Sequence, residues 1–352
     1  MITRPTLVIS ERICRANIRR MAGKAVSSGV IFRPHFKTHQ SLEVAAWFRD
    51  HGLDKITVSS AEMAVKFADA SWDDITIAFP ANIREINIMN DLSGRISLNL
   101  LVDSPEVTQV LSNSLVHPCG IFIEIDCGYG RSGIPVHDPE KMNEVLKILK
   151  SCDQLSFKGF LLHSGDTYQA CSHEEIAEIY HRNINQLKSL KNKYIKDFPE
   201  IIISIGDTPA CSIVDDLSAA DEIRPGNFVY YDLMQHSLGS CTISDIAVTV
   251  ACPVAGIYPE RNELLIYGGA VHLSKEFLEQ DRKYYGLIVQ YTADGWSEPI
   301  PGTRLISISQ EHGIIKTSSQ FLKGIQHGDI LGILPVHSCL TANLLKENIL
   351  VL

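Results

Sequence analysis

Between about residue 30 and residue 226, short apolar, β-branched runs alternate with longer amphipathic stretches. Runs of this length and residue type read as strands, and the longer stretches as helices. The strands fall at residues 30–36 (VIFRPHF), 55–60 (KITVSS), 75–79 (ITIAF), 96–102 (ISLNLLV), 120–126 (GIFIEID), 157–164 (FKGFLLHS) and 201–206 (IIISIG), with a weaker one at 221–226 (DEIRPG). Helical periodicity lies between them, for instance over 60–70, 138–151 and 173–194, and residues 11–28 read as a helix before the first of these strands. Alternation of this kind predicts a parallel sheet, and eight such strands predict a (β/α)8 barrel, set here at residues 9–238. After residue 240 the pattern changes. DIAVTVACPVAGI, ELLIYGG, YYGLIVQY, TRLISISQEHGII and DILGILPVHSC are strand-like, with turn residues between them and no convincing helix until 340–347. This predicts a mostly β domain over residues 239–352, which the opening strand TLVIS joins with residues 1–8. The expected fold class is thus α/β: a TIM-type barrel followed by a β domain.

Composition narrows the function classes. The chain has 352 residues, enough for two domains, with 45% hydrophobic and 21% charged residues. Its 32 basic and 41 acidic residues leave a net charge of −9. That balance argues against nucleic acid or an anionic membrane as the main partner. No apolar run reaches membrane-spanning length, and the start, MITRPTLVIS, lacks the apolar core of a signal peptide. Nine cysteines, an odd number without CxxC pairs, argue against a disulfide framework and fit a reducing cytoplasm.

The active site of a (β/α)8 barrel lies at the C-terminal ends of its strands. The predicted ends bring His35 and Lys37, Ser59 and Ser60, Asp126 through Gly133, His163 through Tyr168, Gly206 through Pro209, and Arg224 through Asn227 to one rim. Lys37 is the amine among them that could form an imine. The loops after strands seven and eight, with Gly206, Thr208, Gly226 and Asn227, are of the kind that holds a phosphate in such barrels. A phosphate site and a strand-end lysine together point to pyridoxal 5'-phosphate (PLP), which lysine binds as a Schiff base. Each piece alone has a plainer reading: Lys37 as a solvated side chain, GDTP and RPGN as turns, His163 as a satisfied buried histidine, Tyr168 as packing. Their convergence makes His163 and Tyr168 candidate cofactor contacts. Pro34 discourages helix before the lysine, and on a continuing strand His35 and His39 would share the face of Lys37.

A second group lies near the C-terminus, where residues 335–343 read PVHSCLTAN. On a strand, His337 and Cys339 would point to the same face. An imidazole and a thiolate suit zinc, and two protein ligands leave positions open for water or substrate. The plainer alternative is a buried cysteine beside an unrelated histidine.

These segments resemble the PLP enzymes of the alanine racemase-like fold type, in the branch of D-serine dehydratases and D-threonine aldolases. RPHFKTHQ at 33–40 resembles the PLP-lysine segment RPHxKTHK, with Gln40 in place of the usual lysine. EIDCGYGRSG resembles the segment whose arginine approaches the cofactor's phenolic oxygen, a role the resemblance gives to Arg131. GDTP resembles the phosphate loop GSTP, with Asp207 replacing serine and setting a negative side chain near the phosphate. RPGNFVYYDLMQ and SQEHG also look like family segments. HSCLTANL resembles the His-x-Cys zinc ligands of D-serine dehydratases, whereas D-threonine aldolases offer histidine and aspartate to manganese or a similar ion. Cys339 therefore favours the dehydratase side.

The resemblance implies a PLP- and zinc-dependent dehydratase acting on D-serine or a related 3-hydroxy-D-amino acid. Lys37 would take the α-proton, zinc would help the 3-hydroxyl leave, and the products would be a 2-oxo acid and ammonia. Three other readings stand beside it: a metal-dependent aldolase giving glycine and an aldehyde, a metal-free racemase, and a PLP carrier without turnover. The fold type also implies a homodimer. D-serine, D-threonine and D-3-hydroxyaspartate all carry the required hydroxyl.

Overall fold

A computed structural model describes residues 2–352. The chain divides into two compact units. One holds residues 20–37 and 42–226; the other holds residues 1–19, 38–41 and 227–352.

The first unit is the barrel. Its eight parallel strands are Ile31–Phe32, Lys55–Val58, Asp74–Pro80, Ser97–Val102, Cys119–Asp126, Leu155–Leu162, Ile202–Ile205 and Glu222–Ile223. Each lies where the hydrophobic runs place it, because a parallel strand is buried on both faces and reads as an apolar run. The helices Ala61–Asp69, Pro139–Lys150 and His173–Tyr194 likewise follow the predicted amphipathic stretches. Serine or aspartate caps each of their N-termini: Ser60, Asp138 and Ser172.

The first strand is shorter than expected. It ends at Phe32, before Pro34, and the barrel closes through the segment beyond it. Thr57 N–H donates to Pro34 O (2.9 Å), Phe36 N–H to Thr57 O (2.8 Å) and His35 N–H to Pro225 O (2.9 Å). Residues 36–39 then form a turn, so Lys37 sits on a turn and not at the end of a strand. The expectation that His35 and His39 share its face by strand alternation fails for this reason. His39 is buried, with Nδ1 3.1 Å from the backbone of Ser41.

A charged layer crosses the barrel interior. Buried Arg33 donates to Glu222 (2.7 Å) and Asp74 (2.6 Å), Ser204 donates to Glu222 (2.6 Å), and Arg224 donates to Ser204 (2.7 Å). Phe36 packs among Phe48, Phe67 and Trp72, with ring centroids 5.0–5.1 Å away.

The second unit is built on a nine-stranded, mainly antiparallel sheet. Its path runs Glu263–Tyr267, His312–Lys316, Arg304–Ile308, Gly286–Thr292, Ile330–Pro335, Val248–Tyr258, Thr6–Ile9 and Ile349–Val351. The opening strand Thr6–Ile9 joins it, pairing antiparallel with Val248–Tyr258. Alternate residues such as Val248, Val250, Cys252, Ile333 and Ile315 form its interior. One-turn helices at Ala270–Leu273 and Ser319–Leu322 interrupt the strands earlier than the sequence pattern suggested, and Ser338–Leu344 forms the last helix.

Candidate active site

In the barrel unit, Lys37 is the one exposed residue of 33–40; its neighbours 33–36, 38 and 39 are buried. Hydrogen bonds hold the backbone before it on both sides, so the amine is presented from a fixed base. Arg131 follows a glycine-rich turn after the fifth strand. Asp126 Oδ1 accepts from the amides of Gly128 (2.8 Å) and Gly130 (3.1 Å), which folds that turn back. The guanidinium of Arg131 lies 5.9 Å from the Tyr129 ring centroid.

His163 sits between Tyr129 and Tyr168, with ring centroids 6.2 and 6.3 Å away. Its Nδ1 lies 3.3 Å from Gly206 O, a geometry that requires the proton on Nδ1 and leaves Nε2 as an acceptor. Burial, then the positive charges of Arg131 and Lys37, push its pKa down to about 3. His163 is therefore neutral at physiological pH.

The seventh strand ends in Gly206. A Cβ there would lie 2.5 Å from Arg224 N and 2.8 Å from Arg224 C, so only glycine lets the two loops approach. Thr208 is 1% exposed and its hydroxyl finds no hydrogen-bond partner among the described residues. A buried hydroxyl in this state suits a phosphate oxygen, as PLP would bring. Asp207 does not turn its bonded oxygen toward such a group. It caps helix Thr208–Ile213: Oδ1 accepts from Ala210 N–H (2.7 Å) and from the Thr167 hydroxyl (2.9 Å). Burial raises its pKa to about 7. Its other oxygen, Oδ2, is buried without a hydrogen-bond partner among the described residues. Gly226 ends the barrel unit.

Two buried groups here were missed by sequence reasoning. Glu124 is 4% exposed, accepts from Ser132 Oγ (2.9 Å), and has its pKa raised by burial. Arg224 is 4% exposed and donates to Leu162 O (2.7 Å) as well as to Ser204. Arg224 opens the quoted RPGN segment, but its inward direction had no sequence signal.

In the β unit, the strand Ile330–Pro335 stops before the histidine, and His337 is the residue that precedes helix Ser338–Leu344. His337 and Cys339 therefore meet at a strand-to-helix corner, not by strand alternation. Burial alone would lower the His337 pKa, but a hydrogen bond and charge interaction with Cys339, then Asp232 and Glu276, raise it to about 9. Burial alone would raise the Cys339 pKa, but His337 and then the Thr38 hydroxyl lower it. Each group thus favours the charged form of the other. Thr38 Oγ1 lies 3.3 Å and Asn227 Nδ2 3.4 Å from Cys339 Sγ. His337 Nδ1 is buried without a hydrogen-bond partner among the described residues. A cysteine whose thiolate form is favoured, beside an imidazole nitrogen without a hydrogen-bond partner, suits a divalent ion such as zinc. Among the described residues no group of three or more His, Cys, Asp or Glu side chains could hold a metal.

Asn227 was expected at the phosphate loop. Its side chain instead donates to Asp232 Oδ2 (2.7 Å), Ser338 Oγ (3.0 Å) and Cys339. Asp232 and Thr38 had no sequence signal as neighbours of the cysteine.

The alanine racemase N-terminal domain family matches residues 9–233, and a serine dehydratase domain family matches residues 247–351. The D-serine dehydratase of Dictyostelium discoideum is 30% identical, over 97% of this chain and 92% of that protein. The chain belongs to the D-serine dehydratase family. This places it among the PLP-dependent lyases built on the alanine racemase-like fold. The D-threo-3-hydroxyaspartate dehydratase of Delftia sp. superposes with a TM-score of 0.90 at 27% identity, covering 98% of this chain and 93% of that one. Structures of that enzyme include alanine variants of a histidine and of a cysteine two positions apart, the latter in a metal-free form. The D-threonine aldolase of Arthrobacter matches more narrowly, at 25% identity over 50% of this chain and 47% of that protein. In sequence, dehydratases match over 96–97% of this chain and aldolases over 47–66% of it. Among the described residues no helix is long and apolar enough to cross a membrane.

Proposed function

We propose that this protein removes water from D-serine or a related 3-hydroxy-D-amino acid, giving a 2-oxo acid and ammonia, with PLP on Lys37 and zinc on His337 and Cys339. The observation that carries this reading is the polarised His337–Cys339 pair, whose sulfur is held by Thr38, the residue that follows Lys37. When bound, PLP supplies an electron sink for the α-carbon and the metal a Lewis acid for the 3-hydroxyl.

The chain's own groups have separable tasks. Lys37 Nζ would hold the cofactor and would accept the α-proton. Its exposure within a clamped, buried segment presents the amine from a fixed base. Arg131 and neutral His163 are the barrel side chains proposed to contact the cofactor, and Tyr168 flanks His163. The Thr208 hydroxyl, with the backbone at Gly206 and Gly226, would receive the phosphate. Cys339, its pKa lowered by His337 and Thr38, would ligate the metal together with the His337 imidazole. Loss of the α-proton and of the hydroxide yields an enamine that hydrolyses to the 2-oxo acid and ammonia. The likeness to an enzyme acting on D-threo-3-hydroxyaspartate keeps that substrate beside D-serine.

The test is a product assay on protein loaded with PLP and zinc. With D-serine, pyruvate and ammonia should form in equal amounts, and both Lys37→Ala and EDTA treatment should abolish them. Glycine and acetaldehyde from D-threonine, without pyruvate from D-serine, would move the assignment to an aldolase. Turnover that survives EDTA would remove the metal from the reaction.

A further inference from the structure

Asp232 lies in the β unit and is 1% exposed. No lysine or arginine among the described residues pairs with it. Every group aimed at its carboxylate is a donor. Oδ2 accepts from Asn227 Nδ2 (2.7 Å), Ser338 N–H (2.9 Å) and Ser338 Oγ (3.1 Å), and Oδ1 accepts from Gln235 N–H (2.9 Å). Burying an anion in this way is costly unless a positive charge lies close by. Of the four hydrogen bonds, those from Asn227 and Ser338 lead toward Cys339. The Asn227 amide reaches both the carboxylate and the sulfur, and Ser338 stands between the two proposed metal ligands in the chain. The amide's own oxygen is buried without a hydrogen-bond partner among the described residues.

We infer that Asp232 is the outer carboxylate of the metal site: it never touches the ion, but it holds the ligand corner through Asn227 and Ser338. This rests on the reading of His337 and Cys339 as the metal ligands. It adds a positioning residue that neither residue spacing nor family membership assigns.

The experiment measures zinc affinity of the full PLP-loaded chain by competition with a chromophoric chelator. Removing an outer partner of a metal ligand typically costs about 10–100-fold in affinity, and Asp232→Asn should lose affinity in that range. Ser338→Ala, which deletes one donor and keeps both charges, should lose only severalfold, and it carries the test if Asp232→Asn fails to fold. With cobalt in place of zinc, Asp232→Asn should also shift the thiolate-to-metal absorbance, which a purely structural role would leave unmoved. Folded variants that bind zinc as tightly as the unaltered protein would overturn the inference. His337→Ala binding zinc unchanged would overturn the metal reading itself, and the inference with it.

Discussion

The Thr38 hydroxyl lies 3.3 Å from the sulfur of Cys339, across 301 positions of sequence. Donation from this hydroxyl stabilises the thiolate, and hydrogen bonds to charged groups are worth about 1.5–3 kcal/mol. Thr38→Val keeps the shape and deletes the donor. It should weaken zinc binding by about tenfold or more, read by chelator competition, and Thr38→Ser should restore it. Equal affinity in the valine variant would show that the contact is only packing.

Gly206 governs how closely the loop before Thr208 approaches Arg224. A methyl at this position meets backbone atoms at 2.5 and 2.8 Å, which no side-chain rotation relieves. Gly206→Ala should therefore displace the proposed phosphate loop. A PLP affinity lower by at least about tenfold, with Lys37 unaltered, is the expected result, and overpacking of this kind costs about 1–3 kcal/mol in stability. Cofactor titration followed by absorbance checks the first effect and thermal unfolding the second.

Asp207 links stability to pH. Its carboxyl titrates near 7 in the folded chain against an ordinary 3.8, because it is buried. The folded state thus holds the proton more tightly than the unfolded state. This contribution to stability is fully present below pH 3.8 and is lost as pH rises through 7. Asp207→Asn preserves an N-cap acceptor and removes the titration. Relative to the unaltered protein, it should gain about 2–3 kcal/mol more at pH 8 than at pH 5, measured by urea unfolding at the two pH values. A pH-independent difference would mean that Asp207 is not the titrating group.

Arg33 holds two carboxylates inside the barrel, Glu222 at 2.7 Å and Asp74 at 2.6 Å. The Glu222 side chain is 0% exposed, so Arg33→Ala leaves a buried charge without its partner. A loss of about 3–5 kcal/mol is expected. Arg33→Ala with Glu222→Gln should recover part of it, and denaturant unfolding of the single and double variants measures the coupling. A loss below about 1 kcal/mol would place the Arg33 pairs with weak surface ion pairs.

The barrel was legible in sequence because its information is local. Apolar runs such as ISLNLLV and GIFIEID become buried parallel strands, and the stretch 173–194 becomes the helix His173–Tyr194 without adjustment. Glycine, threonine and lysine at the strand ends marked a rim because strand ends can be counted along the chain. The motifs around Lys37, Arg131 and Cys339 added the chemistry. Periodicity misled where the backbone leaves its regular path. Past Pro34, alternation no longer holds, so Lys37 rides a turn; past Pro335, His337 and Cys339 meet at a corner.

What the sequence by itself determined is therefore the alternation of elements and the kinds of reactive groups along them, since both follow from neighbours within a few residues. Only the tertiary structure decided which distant groups share a charge or a hydrogen bond. Thr38, Asn227 and Asp232 gathered around the Ser338–Cys339 corner, and Asp207 bound by the Thr167 hydroxyl, depend on contacts many residues apart. The physical reason is that burial and pairing of polar groups are set by packing in three dimensions, which a one-dimensional pattern does not encode.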